Sequence, residues 1–175
     1  ISTLYSIPSL SRMVRICASS FSKFMISLSL LPLCDFVVAD KYMASNTFVF
    51  PCALSFGTYL LLATNTEKKI NFRSLNVEAV YSLELTQLTE PLPDKAWANY
   101  PLGVLAQFVK RGVAIEQGYD ILFWGNVPAG AGLSSSAAME VVTAFAFNEL
   151  LGTGYDRTEL AKIGQKAEHE FAGVM

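Results

Sequence analysis

The chain has 175 residues, 52% of them hydrophobic, a formal net charge of −2 and a pI near 5.4. That length can enclose one real core, and the lack of a basic surplus argues against nucleic acid as the main partner. Cys17, Cys34 and Cys52 are widely spaced with no C-x-x-C pair, which suits free thiols in a reducing, cytoplasmic setting and excludes a disulfide framework or zinc site as an expectation.

The first 47 residues show neither helical periodicity nor strict alternation, and their formal charge of +2 contrasts with −4 for the remainder. This shift sets 1–47 apart as a divergent or poorly ordered segment, with 48–175 as the body of the domain. From Ile16 to Ala39 the chain is largely apolar behind Arg12 and Arg15, a loose imitation of a leader or membrane span. Lys23, Pro32 and Asp35 interrupt it, so no membrane role is expected. The first residue is Ile1 rather than Met, and the sequence reads as a piece of a longer chain.

Strand-like runs follow at 48–55, 58–63, 70–73 and 80–85, with Asn65 to Lys69 as a polar turn, and they suggest an antiparallel meander. Ser74 closes the third run. Pro91 and Pro93 then break the chain, and Asp94 is placed to cap a helix from about Lys95 to Arg111 with Trp97, Tyr100, Leu105, Phe108 and Val109 on its apolar side. By spacing alone Trp97 belongs to a core.

Tyr119 to Trp124 has the aromatic and β-branched content of a buried strand. It leads into Asn126-Val127-Pro128-Ala129-Gly130-Ala131-Gly132-Leu133-Ser134-Ser135-Ser136-Ala137-Ala138 and then an Ala-rich helix ending near Leu151-Gly152. Strand, glycine loop and helix start make an anion site in outline. Gly130 and Gly132 permit close backbone approach, Ser134 can cap the helix, and the first helical amides carry the positive end of the dipole. The plainer alternative is a capped turn. No Lys follows the second glycine, the G-x-G-x-x-G spacing is missing, and the serine pattern is not a nucleophile elbow. Asp156-Arg157-Thr158-Glu159 is a capping box for a last helix running to about Phe171, with Lys162 and Lys166 near Glu170. Glu168 on that helix reads by itself as a solvated carboxylate, and His169, the single histidine, as structural.

The glycine loop resembles the P-x-G-x-G-L-S-S-S-A-A motif of the GHMP small-molecule kinases, and among them the galactokinases. Three other segments share the likeness. Phe48-Val49-Phe50-Pro51-Cys52-Ala53 is similar to F-V-x-P-x-A, and Trp97-Ala98-Asn99-Tyr100 with Gly103-Val104 is similar to W-x-N-Y-x-x-G-V. Ala167-Glu168-His169 with Phe171 and Gly173 resembles the segment preceding the family's catalytic aspartate.

The resemblance implies an α+β fold like the GHMP kinase N-terminal domain, similar to ribosomal protein S5 domain 2, a mixed sheet with helices on one face. Strands early and helices late in the chain independently suggest α+β. It further implies ATP held by Gly130, Ala131, Gly132, Leu133, Ser134, Ser135 and Ser136, with Ser74 and Trp97 near the adenine, and Mg²⁺ held by Ser136 and Glu168. Galactose phosphorylated at its 1-hydroxyl is the implied reaction, carried out by a monomer.

Two departures matter. Where the family has an arginine and then G-E-H-T-D-Y-N for the sugar, this chain has Cys34 at the arginine position, then Asp40, Lys41 and Met43, so Asp40 alone keeps a charge there. The family's catalytic aspartate would fall beyond Met175, so no catalytic residue is assigned within the chain, and the isolated chain is expected to be inactive. A nucleotide- or sugar-binding protein without catalysis is the alternative, and a mevalonate or homoserine kinase on the same scaffold a third.

Overall fold

The structure, a computed structural model, describes the backbone of residues 14–19 and 23–28 and residues 57–94, 96–127 and 134–173. The strand expected over 48–55 lies outside them. A hairpin of β1 (Val14–Ser19) and β2 (Lys23–Leu28) pairs antiparallel with Ile16 opposite Ile26, a pairing that no alternating pattern foreshadows. The body of the domain is a sheet of β3 (Thr58–Asn65), β4 (Lys69–Ser74), β5 (Tyr81–Glu84) and β6 (Gly118–Gly125), with helices α1 (Asn99–Lys110), α2 (Ser135–Leu151) and α3 (Arg157–Ala167). It is α+β, as expected.

The strand order β3-β6-β4-β5 corrects the meander. β6 lies antiparallel to β3 and parallel to β4, so the short turn from Asn65 to Lys69 joins strands that are not neighbours. Turn residues report a change of direction and not which strands pair. The turn crosses the start of β6, where a Cβ on Gly118 would stand 2.1 Å from Asn65 Oδ1 and 2.7 Å from the Lys69 nitrogen. Glycine is required there because backbone passes over it. Asp120 on β6 accepts from Asn65 at 3.0 Å and Asn71 at 2.7 Å, tying the three strands together.

Alternation then sorts the sheet into two faces. Leu60, Leu62, Ile70, Phe72, Tyr119, Ile121 and Phe123 are buried in the core shared with the helices, whereas Leu61 and Trp124 are exposed on the other face. Tyr119 meets Phe147 of α2 edge-on at 5.3 Å. α2 is largely apolar without a separate polar face and is enclosed accordingly, with Val142, Ala144, Ala146 and Phe147 fully buried.

α1 starts at Asn99 and not near Lys95. Asp94 has φ 58° and Ala98 occupies the cap position without a side-chain bond, so the expected Asp94 cap is not made, because a cap needs extended backbone. Asn99 anchors this end instead: buried, it accepts from Leu92 N–H at 2.7 Å and donates to Leu92 C=O at 2.9 Å. α2 ends on Gly152 at φ 61° as expected. The Asp156–Glu159 capping box forms, with bonds of 2.8 and 3.1 Å. Beyond Ala167 the helix widens into a π turn over Glu168–Ala172, ending at Gly173 with φ 65°. Glu170 there bonds to Lys110 and Gln107 of α1. It is these α1 side chains, with only a longer-range pull from Lys166, that hold its carboxyl below the usual range. Among the described residues no helix is long and apolar enough to cross a membrane.

Where α1 crosses α3, a Cβ on Gly103 would lie 3.0 Å from Ala167 Cβ, Ala167 O and Phe171 Cβ. Replacing a helical glycine by alanine ordinarily gains up to about 1 kcal/mol, but overpacking against backbone loses about 1–3 kcal/mol. Gly103→Ala is therefore expected to lower unfolding stability by about 1 kcal/mol, measured by urea titration.

Candidate functional site

β6 carries the chain out of the sheet centre, and local hydrogen bonds fix the direction it takes. Asn76 donates to Gly125 C=O and accepts from Gly125 N–H, both at 2.9 Å. Asn126 Oδ1 accepts from Gly57 N–H at 2.7 Å. Between this edge, α1 and the start of α2 lies an open cleft of about 620 Å³, walled by Ser74, Val77, Trp97, Tyr100, Phe123, Trp124, Ser135, Ser136 and Met139 among others. A hollow of about 680 Å³ on the opposite sheet face, lined by Leu61, Arg73, Val80 and Leu122, contains none of the residues singled out from the sequence.

Four of those residues thus meet at one cleft: Ser74, Trp97, Ser135 and Ser136. They come from β4, the turn before α1, and the first turn of α2. Glu168 joins them from the π turn, accepting a hydrogen bond from Ser136 Oγ at 3.0 Å. Ser134 stands at the helix start but not in the cleft lining, and its φ of 53° leaves it without a side-chain cap bond. The expected serine cap is therefore not made, because left-handed backbone turns the hydroxyl from the amides it would have to reach. Gly130, Ala131, Gly132, Leu133 and Asp40 lie outside the described residues.

Trp97 serves two surfaces. Its indole N–H donates to Ala79 C=O at 3.0 Å, and its ring stands edge-on to Tyr81 and Phe123, both at 5.9 Å. It is thereby pinned by the core while lining the cleft, the half-open aromatic setting that suits a flat heterocycle. Ser74 Oγ accepts from Asn76 N–H at 3.1 Å, a local turn bond that holds the strand end. His169 is exposed.

Beneath Ser136 sits a residue that the sequence reading passed over. Glu140 is one helical turn further along α2, 1% exposed, and its Oε1 has no hydrogen-bond partner among the described residues. Burial, and secondarily the charge of Glu168, push its carboxyl up to about 9. The Tyr100 phenol is raised as well, by burial first and then by Glu168 and Glu140. The available signal was an acidic residue in the middle of a largely apolar helix, four positions after Ser136. Ser136 Oγ and Glu168 Oε1 bring two hard oxygens together, the donor type that a divalent cation such as Mg²⁺ takes.

The fold is that of a GHMP kinase N-terminal domain. Residues 99–175 match the family model described as GHMP kinases N terminal domain, and the chain carries that domain. The relatives are galactokinases: that of Fusobacterium nucleatum is 45% identical over 129 residues, covering 73% of this chain and 33% of the relative. The galactokinase of Clostridium acetobutylicum is 44% identical over 128 residues, covering 72% of this chain and 33% of the relative. The chain spans about a third of the length of the curated relatives it matches. Among solved structures, Lactococcus lactis galactokinase complexed with galactose superposes with a TM-score of 0.69 at 27% identity, covering 84% of this chain and 38% of that one. Methanococcus jannaschii mevalonate kinase reaches 0.70 at 18% identity, with 89% and 49% covered, a likeness of fold alone.

The elevated Glu140 carboxyl has a consequence for stability. A group protonated more readily when folded penalises the fold only where the unfolded chain has already ionised, so the penalty is absent below the ordinary carboxylate range and grows as pH rises toward 9. Glu140→Gln should raise the melting temperature by about 3 °C or more at pH 8. The gain should vanish near pH 4, as calorimetry at the two pH values would show.

Proposed function

We propose that this chain is the nucleotide-binding part of an ATP-dependent sugar kinase that phosphorylates galactose at its 1-hydroxyl. The observation that carries this reading is the meeting of Ser74, Trp97, Ser135 and Ser136 at one cleft, with Glu168 bonded to Ser136. The galactokinase relatives support the choice of reaction and sugar. The adenine lies against Trp97 and beside Ser74, and the phosphates run toward the start of α2. There the amides of Ser135 and Ser136, with the loop amides of Gly130, Ala131, Gly132 and Leu133 and that of Ser134, receive them. Mg²⁺ bound at Ser136 and Glu168 would neutralise charge on the β- and γ-phosphates.

Each residue then has a physical task. The helix dipole and backbone amides offer partial positive charge that needs no reorganisation as phosphate charge shifts. The Ser136–Glu168 bond holds a hydroxyl and a carboxylate oxygen 3.0 Å apart at the phosphate end of the cleft. Trp97, anchored through Ala79, fixes the base so that the γ-phosphate is carried to a set position. Asp40 contributes to holding the sugar. The protein acts as a monomer in the cytoplasm.

Incubating the intact protein with ATP, Mg²⁺ and galactose should release ADP in step with sugar phosphate. Ser136→Ala should lower kcat by about 100-fold or more, and Trp97→Ala should weaken ATP binding about 3- to 10-fold, as lost ring contact predicts. Magnesium-dependent ATP binding without turnover on any monosaccharide would select the non-catalytic alternative that Cys34, Lys41 and Met43 raise. Absence of nucleotide binding would overturn both.

A further inference from the structure

Among the described residues, Glu140 is the one whose buried side chain keeps an oxygen without any hydrogen-bond partner. Such a group is costly, and a methionine of similar shape would pack the same space without that cost. Its surroundings do not supply the missing donor. Facing it on α3 is Gly164, where an added Cβ would lie 3.4 Å from Glu140 Cβ and 3.8 Å from Oε2. The helix opposite therefore approaches with bare backbone. What does stand near is functional. Glu140 follows Ser136 by four residues on the same face of α2, Ser136 Oγ bonds Glu168 at 3.0 Å, and Tyr100 on the cleft wall feels the charge of both carboxylates.

We propose that Glu140 is a positioning residue for the divalent cation: its free oxygen accepts a hydrogen bond from water carried by a cation seated on Ser136 and Glu168, and so fixes that cation below the phosphates. This rests on the reading of the cleft as a metal–nucleotide site. It gives the orphan oxygen a partner that arrives only with the ligand. It also explains why an acidic residue occupies a helix whose other enclosed positions are mostly apolar. Groups that hold a metal's ligands in place typically govern its affinity without touching it.

The test is equilibrium binding of Mg²⁺ to the intact protein in the presence of ADP, followed by calorimetry, so that no turnover is needed. Glu140→Gln should weaken Mg²⁺ binding about 10- to 100-fold while leaving metal-free ADP affinity within about twofold of the parent. Glu140→Met, which fills the space with no polar atom, should fold and show the same loss. If both variants bind Mg²⁺ as the parent does while Ser136→Ala does not, the role of Glu140 is overturned and the metal–nucleotide reading stands. If Ser136→Ala and Glu168→Gln keep parental Mg²⁺ affinity and the Glu140 variants lose it, Ser136 and Glu168 do not seat the cation and the positioning role of Glu140 falls with them. Parental affinity in all four variants overturns both.

Discussion

The structure depends on where β6 lies. By entering between β3 and β4 it becomes an inner strand of the described sheet, with Tyr119, Ile121 and Phe123 in the core. A loop leaving an edge strand would reach one helix. Leaving an inner strand, it brings the start of α2 against β4, the turn carrying Trp97, and α1 together. The requirement behind this placement is local: the β3–β4 connection must pass over Gly118 with no side chain in the way. Asp120, shared between Asn65 and Asn71, holds the three strands in register at that crossing.

The cleft combines rigid apolar walls with polar groups held by few partners. Trp97 is fixed through Ala79, Tyr81 and Phe123, and the strand end through Asn76 and Gly125. At the other end, α2 begins from left-handed Ser134 with no side-chain cap, and Glu140 retains an unpaired oxygen. An uncapped helix start and an unsatisfied carboxyl are each unfavourable in an empty fold. Both fall at the α2 end of the cleft. The break from α- to π-helical winding at Glu168 belongs to the same end and aims that residue at Ser136 while Glu170 turns to Lys110.

Much of the site was legible because its chemistry is local in the chain. Ser135 and Ser136 follow directly on the glycine loop, and the Trp97 and Glu168 segments each stand in a recognisable short string. Glu140 was not legible. It is one of two acidic residues in a largely apolar helix, and nothing in the string tells that its face turns inward toward α3. The Ser134 and Asp94 caps failed for a related reason. Residue type favours capping at both, but backbone in the left-handed region prevents it.

The sequence by itself determined the elements that hydrogen bonding and side-chain period settle within a few residues: the strand ahead of the glycine loop, α2 closing on Gly152, and the Asp156–Glu159 box opening α3. It could not determine that β6 separates β3 from β4. Strand pairing is fixed by burial of both neighbours' faces across some fifty residues, and a short polar turn is equally compatible with a hairpin and a crossing. Only the tertiary structure decided which polar groups lack partners, since that depends on every element packed around them.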